Sequence, residues 1–156
     1  MLIVDIPGCD TFHLEHLVLD YNGTLACDGI LLDGVSERIA LLADCLTIHV
    51  VTGDSFGKAA EQLAGMPWHL AILETQRQSA AKAAYVADLG PSGVVCIGNG
   101  NNDRQMMAAA ALAIAVLQEE GAATATLLAA DIVVRQSVDA LDLLINPQRL
   151  MATLRQ

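Results

Sequence analysis

His16-Leu17-Val18-Leu19-Asp20-Tyr21-Asn22-Gly23-Thr24 joins an apolar run to a carboxylate and then to an Asn-Gly turn. Apolar residues without polar alternation predict a strand buried on both faces, as in parallel sheets. Asn22-Gly23 is a turn signal. A carboxylate closing such a strand projects its oxygens into the crevice where open α/β sheets bind ligands. The N–H groups of a glycine-containing turn can face an anion there. A carboxylate can also attack phosphorus and form an acyl phosphate. The plainer alternative is an acid that merely ends a strand.

The pattern recurs downstream. A second apolar run, 46–51, stops at Thr52-Gly53-Asp54, and a third, 94–97, stops at Gly98-Asn99-Gly100-Asn101-Asn102-Asp103. Further strands are predicted over 68–73, 112–116 and 131–134. Helical spacing or capping signals predict helices over 36–44, 55–64, 79–89, 104–110, 122–130 and 137–154, the last interrupted near Pro147. Upstream, 2–6 and 11–15 around Pro7-Gly8 predict a short N-terminal hairpin, and 25–33 around Asp28-Gly29 a small flap. Strands alternating with helices imply an α/β fold: a three-layer, Rossmann-like parallel sheet with helices on both faces. The 156 residues suit a single domain, 1–156.

Composition excludes several function classes. The net charge of −10 is opposite to the basic stripe of nucleic-acid binders, and it opposes an anionic membrane surface. An anionic substrate therefore needs local cations or backbone dipoles. The longest apolar run, Met106 to Leu117, is too short to span a bilayer. No basic leader precedes Asp5, so a cytoplasmic, reduced protein is expected. Cys9, Cys27, Cys45 and Cys96 show no C-x-x-C spacing, which argues against zinc or a redox pair. Cys45 and Cys96 are expected to be buried, and Glu119, Glu120, Asp139 and Asp142 to be solvated.

The strand-end residues carry chemistry. Thr52 and the Gly53 N–H can hold a phosphate oxygen, while Asp54 or Ser55 can cap the next helix. The chain has only two lysines, Lys58 and Lys82. Lys82 lies near a helix start, where a cation is unfavourable, which suggests a task such as neutralising a phosphoryl group. Asp103 can reach a hard cation and Asn99 offers a neutral oxygen, a donor set suited to Mg²⁺. Asp103 is also placed to cap the following helix. Tyr21 and Trp68 are candidates to flank the crevice, Trp68 more as packing. His49 reads as a core or sheet-face histidine.

Asp20-Tyr21-Asn22-Gly23-Thr24, Thr52-Gly53-Asp54, Lys82 and the 98–103 loop, in that order, resemble the four motifs of the haloacid dehalogenase-like hydrolase superfamily. The "TGD" and "GNGNND" combination is most similar to the soluble branch related to the phosphorylation domain of P-type ATPases. The resemblance covers residues 17–134. It implies a Mg²⁺-dependent phosphatase with Asp20 as nucleophile. The Asn22 carbonyl, Asp20, Asn99 and Asp103 would hold the metal, and Tyr21 would border the substrate. Thr52, Gly53 and Lys82 would hold the transferring phosphoryl group.

Two positions depart from the family pattern. Family phosphatases usually carry an Asp, serving as general acid and base, where this chain has Asn22, and an amide cannot exchange a proton in that way. A second family Asp is replaced by Asn99. The short spacing from Thr24 to Thr52 and from Gly53 to Lys82 leaves no room for a large cap domain. An open site suits a small phosphorylated substrate, a phosphoprotein, or a lid supplied by a homo-oligomer. Two rival readings remain. One is a low-turnover or inactive module that senses phosphate or a partner. The other is a dehalogenase, which would need an enclosing apolar cap.

Overall fold

The computed structural model describes residues 1–74 and 76–156. Its centre is a six-stranded, fully parallel sheet of β3 (His16–Leu19), β6 (Thr47–Thr52), β7 (Trp68–Ile72), β8 (Val94–Gly98), β9 (Leu112–Val116) and β10 (Ile132–Val134). The order is β10-β9-β8-β3-β6-β7. The chain thus builds outward from β3 to β6 and β7, then returns to the other side of β3 for β8, β9 and β10. That reversal between β3 and β8 makes a topological switch point, the place where open α/β sheets bind ligands.

Both faces are covered. Leu17 and Leu19 of β3, Ile48 and Val50 of β6 and Ile114 of β9 pack into one apolar cluster. That layer holds α1 (Val35–Leu42), α2 (Ala59–Gln62), α6 (Ser137–Ile145) and α7 (Pro147–Leu154). Val18, Val51, Cys96 and Ala113 pack into a second cluster with Val86, Met106 and Met107. Its helices are α3 (Gln78–Leu89), α4 (Arg104–Ala109) and α5 (Thr124–Leu127). Alternate residues of one strand therefore serve opposite layers, which is why these strands carry no polar alternation. Two hairpins flank the sheet. β1 (Leu2–Val4) pairs antiparallel with β2 (Phe12–Leu14), and β4 (Ala26–Cys27) pairs with β5 (Ile30–Leu31).

Several expectations need correction. The helix expected over 55–64 is only α2, because Asp54 (φ 46°) and Gly57 (φ 66°) turn the chain first. Neither Asp54 nor Ser55 is the cap, because α2 starts later and Lys58 holds that position; Asp54 Oδ1 instead accepts the Lys58 and Ala59 N–H groups at 3.0 Å each from the preceding turn. The helix expected over 122–130 shrinks to the single turn of α5. Cys45 is half-buried rather than buried. Asp142 is not simply solvated, because Arg38 grips it with two hydrogen bonds of 2.8 and 3.0 Å. The break before Pro147 falls as expected, between α6 and α7.

Candidate active site

Asp20 leaves the C-terminal end of β3, with its backbone N–H still donating to Ile97 of β8 at 3.0 Å. The turn that follows is built tightly. The N–H groups of Thr24, Leu25 and Ala26 all donate to the Tyr21 carbonyl, and Gly23 N–H donates to Ala26 O at 2.8 Å. Gly23 adopts φ +78°, and a methyl group there would meet the Asn99 amide nitrogen at 2.5 Å. Only glycine fits that backbone and that gap.

Lys82 draws three remote segments together. Its side chain is fully buried, and its Nζ lies 2.5 Å from Asp20 Oδ1 and 2.6 Å from Asp103 Oδ1. α3 contributes this ammonium from its second turn. Asp103 ends the short 3-10 turn Asn101–Asp103 that follows β8. Its Oδ2 accepts the Asn99 and Gly100 N–H groups at 3.0 and 2.9 Å, so both of its oxygens are engaged. Gly98 makes this possible: a methyl group there would lie 2.5 Å from Asp103 Oδ2.

Burial pushes the Asp20 carboxyl up to about 6, with Asp103 adding to the rise and Lys82 opposing it. Burial disfavours charge on Lys82, but Asp20 and Asp103 outweigh it and hold the ammonium above the usual lysine value. The site thus keeps one permanent cation against two crowded acids.

The remaining expected residues sit around this pair. Thr52, almost fully buried, ends β6 and accepts the Asp54 N–H on its hydroxyl at 3.0 Å. The Gln78 side-chain amide packs onto Gly53, so a methyl group there would have to displace it. Asn99 donates to Gly121 O at 2.9 Å, and the Thr24 hydroxyl donates to Asn99 Oδ1 at 3.3 Å. Tyr21 corrects an expectation: its side chain is fully buried and its hydroxyl donates to Gly29 O at 3.0 Å, so it braces the flap instead of bordering the crevice. Burial, then Asp54, pushes that phenol up to about 12. Trp68 packs against the core, with its indole N–H donating to Leu63 O at 2.7 Å.

The donor set fits a hard divalent cation. Asp20, Asp103, Asn22 and Asn99 offer only oxygen, the preference of Mg²⁺. Among the described residues, Asn22 Oδ1 is the buried side-chain oxygen left without a hydrogen-bond partner. An orphaned buried acceptor two residues along the chain from Asp20 is chemically suited to a cation.

Sequence reasoning overlooked the buttress. Gln118 Nε2 and the Ser137 hydroxyl both donate to Thr24 O, the former at 3.0 Å. Asn102 Nδ2 donates to Gln78 Oε1 at 2.8 Å. Gln118 directly follows an apolar strand and its flanking leucine, the same signal that singled out Asp20.

No family model matches the chain. It is 52% identical over 62 residues to the uncharacterized protein MJ0073 of Methanocaldococcus jannaschii, covering 40% of this chain and 67% of that protein, and it belongs to the same family. Solved structures share its architecture. The cobalt-bound deoxy-D-mannose-octulosonate 8-phosphate phosphatase of Haemophilus influenzae superposes with a TM-score of 0.72, at 17% identity over 92% of this chain and 94% of that one. The corresponding phosphatase of Moraxella catarrhalis, in complex with magnesium, phosphate and its sugar, gives 0.65 at 17% identity, with 92% and 94% covered. The architecture is the haloacid dehalogenase-like fold, and among the described residues no large cap interrupts it.

Proposed function

We propose that this haloacid dehalogenase-like chain is a Mg²⁺-dependent phosphatase that works through an aspartyl phosphate on Asp20. The observation that carries the reading is the bridge of Lys82 between Asp20 and Asp103 at the β3/β8 switch point. Two acids and an ammonium converging in a buried site are costly unless the arrangement has a use, and here they meet beyond the C-terminal ends of β3 and β8.

Asp20 attacks phosphorus in line, and the bond from phosphorus to the leaving oxygen breaks. Lys82 balances the charge of the nucleophile and the phosphoryl oxygens. The Thr52 hydroxyl and Gly53 N–H hold those oxygens in place. Water then attacks the aspartyl phosphate, which releases phosphate and restores Asp20. Asp20, the Asn22 carbonyl, Asn99 and Asp103 would hold Mg²⁺, which when bound neutralises phosphoryl charge. Asn22 cannot hand a proton to the leaving oxygen. The reading therefore favours leaving groups that need none, such as acyl phosphates, on small molecules or on a phosphoprotein.

The assay is hydrolysis of p-nitrophenyl phosphate and acetyl phosphate with Mg²⁺. Turnover lost in EDTA and in Asp20→Asn supports the proposal; turnover that survives Asp20→Asn defeats it. The amides at Asn22 and Asn99 favour a second reading, a phosphate- or partner-sensing module. It predicts Mg²⁺ or phosphate binding with no turnover.

A further inference from the structure

We infer that Glu120 supplies the negative charge that the cation site lacks through Asn99. The inference rests on the metal-dependent reading above. Cation affinity at oxygen sites is tuned by ligand charge. Of the four expected donor residues, Asn22 and Asn99 are neutral, and both carboxylates are shared with Lys82.

Glu120 lies in the loop between β9 and α5, and the residues around it are fastened to the two donor loops. Gln118 N–H donates to Arg135 O at 2.8 Å, and the Gln118 side chain reaches Thr24 O beside Gly23. On the other side, Gly121 O accepts the Asn99 side-chain amide at 2.9 Å and Ala123 N–H donates to Asn99 O at 2.9 Å. The loop cannot drift without breaking these bonds, so the backbone that carries Glu120 is fixed beside Asn99.

The convergence is visible at Gly23. A methyl group there would lie 2.5 Å from Asn99 Nδ2, 2.8 Å from Asn99 Oδ1 and 2.7 Å from Glu120 Oε2. The Asn99 amide and the Glu120 carboxylate therefore share one side of Gly23, the residue that follows Asn22. Among the described residues, Glu120 has no cationic partner; the ion pairs are those of Lys82 and of Arg38 with Asp142. Instead, ligand atoms of Cys27, Asp28 and Glu120 all lie within 4.8 Å of one another. Glu119 differs, because its Oε2 faces Cys27 Sγ at 3.9 Å. Glu120 is exposed, so its pull on a cation weakens as salt rises.

The test is calorimetric titration of the full chain with Mg²⁺ at low salt, independent of turnover. Glu120→Gln weakens binding about tenfold, the low end of the range for supporting carboxylates around metals. Glu119→Gln stays within about twofold of the original protein. Placing the acid at the other position, Asn99→Asp with Glu120→Gln, recovers the original affinity. Unchanged Mg²⁺ affinity in Glu120→Gln overturns the inference while leaving the phosphatase reading intact. So does an equal loss in Glu119→Gln, which would show only a diffuse field. A chain that binds no Mg²⁺ overturns the inference together with the reading beneath it.

Discussion

Lys82→Met keeps most of the buried volume and removes the ammonium. Asp20 Oδ1 and Asp103 Oδ1 lie 2.5 and 2.6 Å from Nζ. The two oxygens are thus no more than about 5 Å apart, where at an effective dielectric of about 20 two charges repel by about 3 kcal/mol. Removing one partner of a buried ion pair costs about 3–5 kcal/mol by measurement elsewhere. We expect Lys82→Met to lose roughly 3 kcal/mol at pH 8. In the variant, Asp20 relieves the strain by taking up a proton, so its folded pKa rises further above the unfolded value. A carboxyl raised in this way stabilises the fold at low pH and loses that contribution as pH climbs through the folded pKa. The deficit relative to the original protein should therefore shrink at pH 5. Urea unfolding in EDTA at the two pH values measures it, and added Mg²⁺ should recover part of the loss at pH 8. A deficit below about 1 kcal/mol at pH 8, or one equal at both pH values, would refute the electrostatic account of this site.

Three other perturbations follow. Asn22→Asp places a proton carrier beside the leaving group and should raise turnover of poor leaving groups by about 10²-fold or more, with little change for acetyl phosphate; equal effects on both substrates would contradict that role. Gly98→Ala drives a methyl into the Asp103 carboxylate and should destabilise the fold by roughly 1–3 kcal/mol while weakening Mg²⁺ binding; unchanged affinity would detach Asp103 from the metal. Burial, then His16 and His69, lowers His49 from the usual 6.5 to about 4. The unfolded chain binds the extra proton, so stability should fall as pH drops from 6.5 towards 4. In His49→Gln, measured by urea unfolding, that segment of the pH dependence should flatten.

Much of this was legible because strand ends announce themselves. The runs ending at Asp20, Thr52 and Gly98 are apolar on both faces and stop at polar, glycine-rich turns. Strand identity and the convergence of Asp20 with Asp103 follow from that pattern plus parallel topology. The short helices were overestimated because backbone geometry overrode composition: Asp54 and Gly57 take positive φ, and Ala-rich sequence after Ala122 carries no stop signal. Tyr21 was misjudged because an aromatic beside a nucleophile gives no hint of which way its ring turns; the Gly29 carbonyl decides it. The contact of His16 Nδ1 with His49 Nε2 at 3.1 Å, and of His49 Nδ1 with the Tyr85 hydroxyl at 2.9 Å, depends on strand register and helix placement. Glu120 looked like an ordinary solvated acid because its neighbours at Gly23 come from a loop nearly a hundred residues away.

In the proposed mechanism Asp20 itself receives the phosphoryl group. Protein incubated with acetyl phosphate and Mg²⁺, reduced with borohydride and digested, reports it directly by mass spectrometry. The account predicts homoserine at position 20, absent when EDTA is present and absent in Asp20→Asn. Turnover with position 20 unaltered, or homoserine at Asp103 instead, would contradict it.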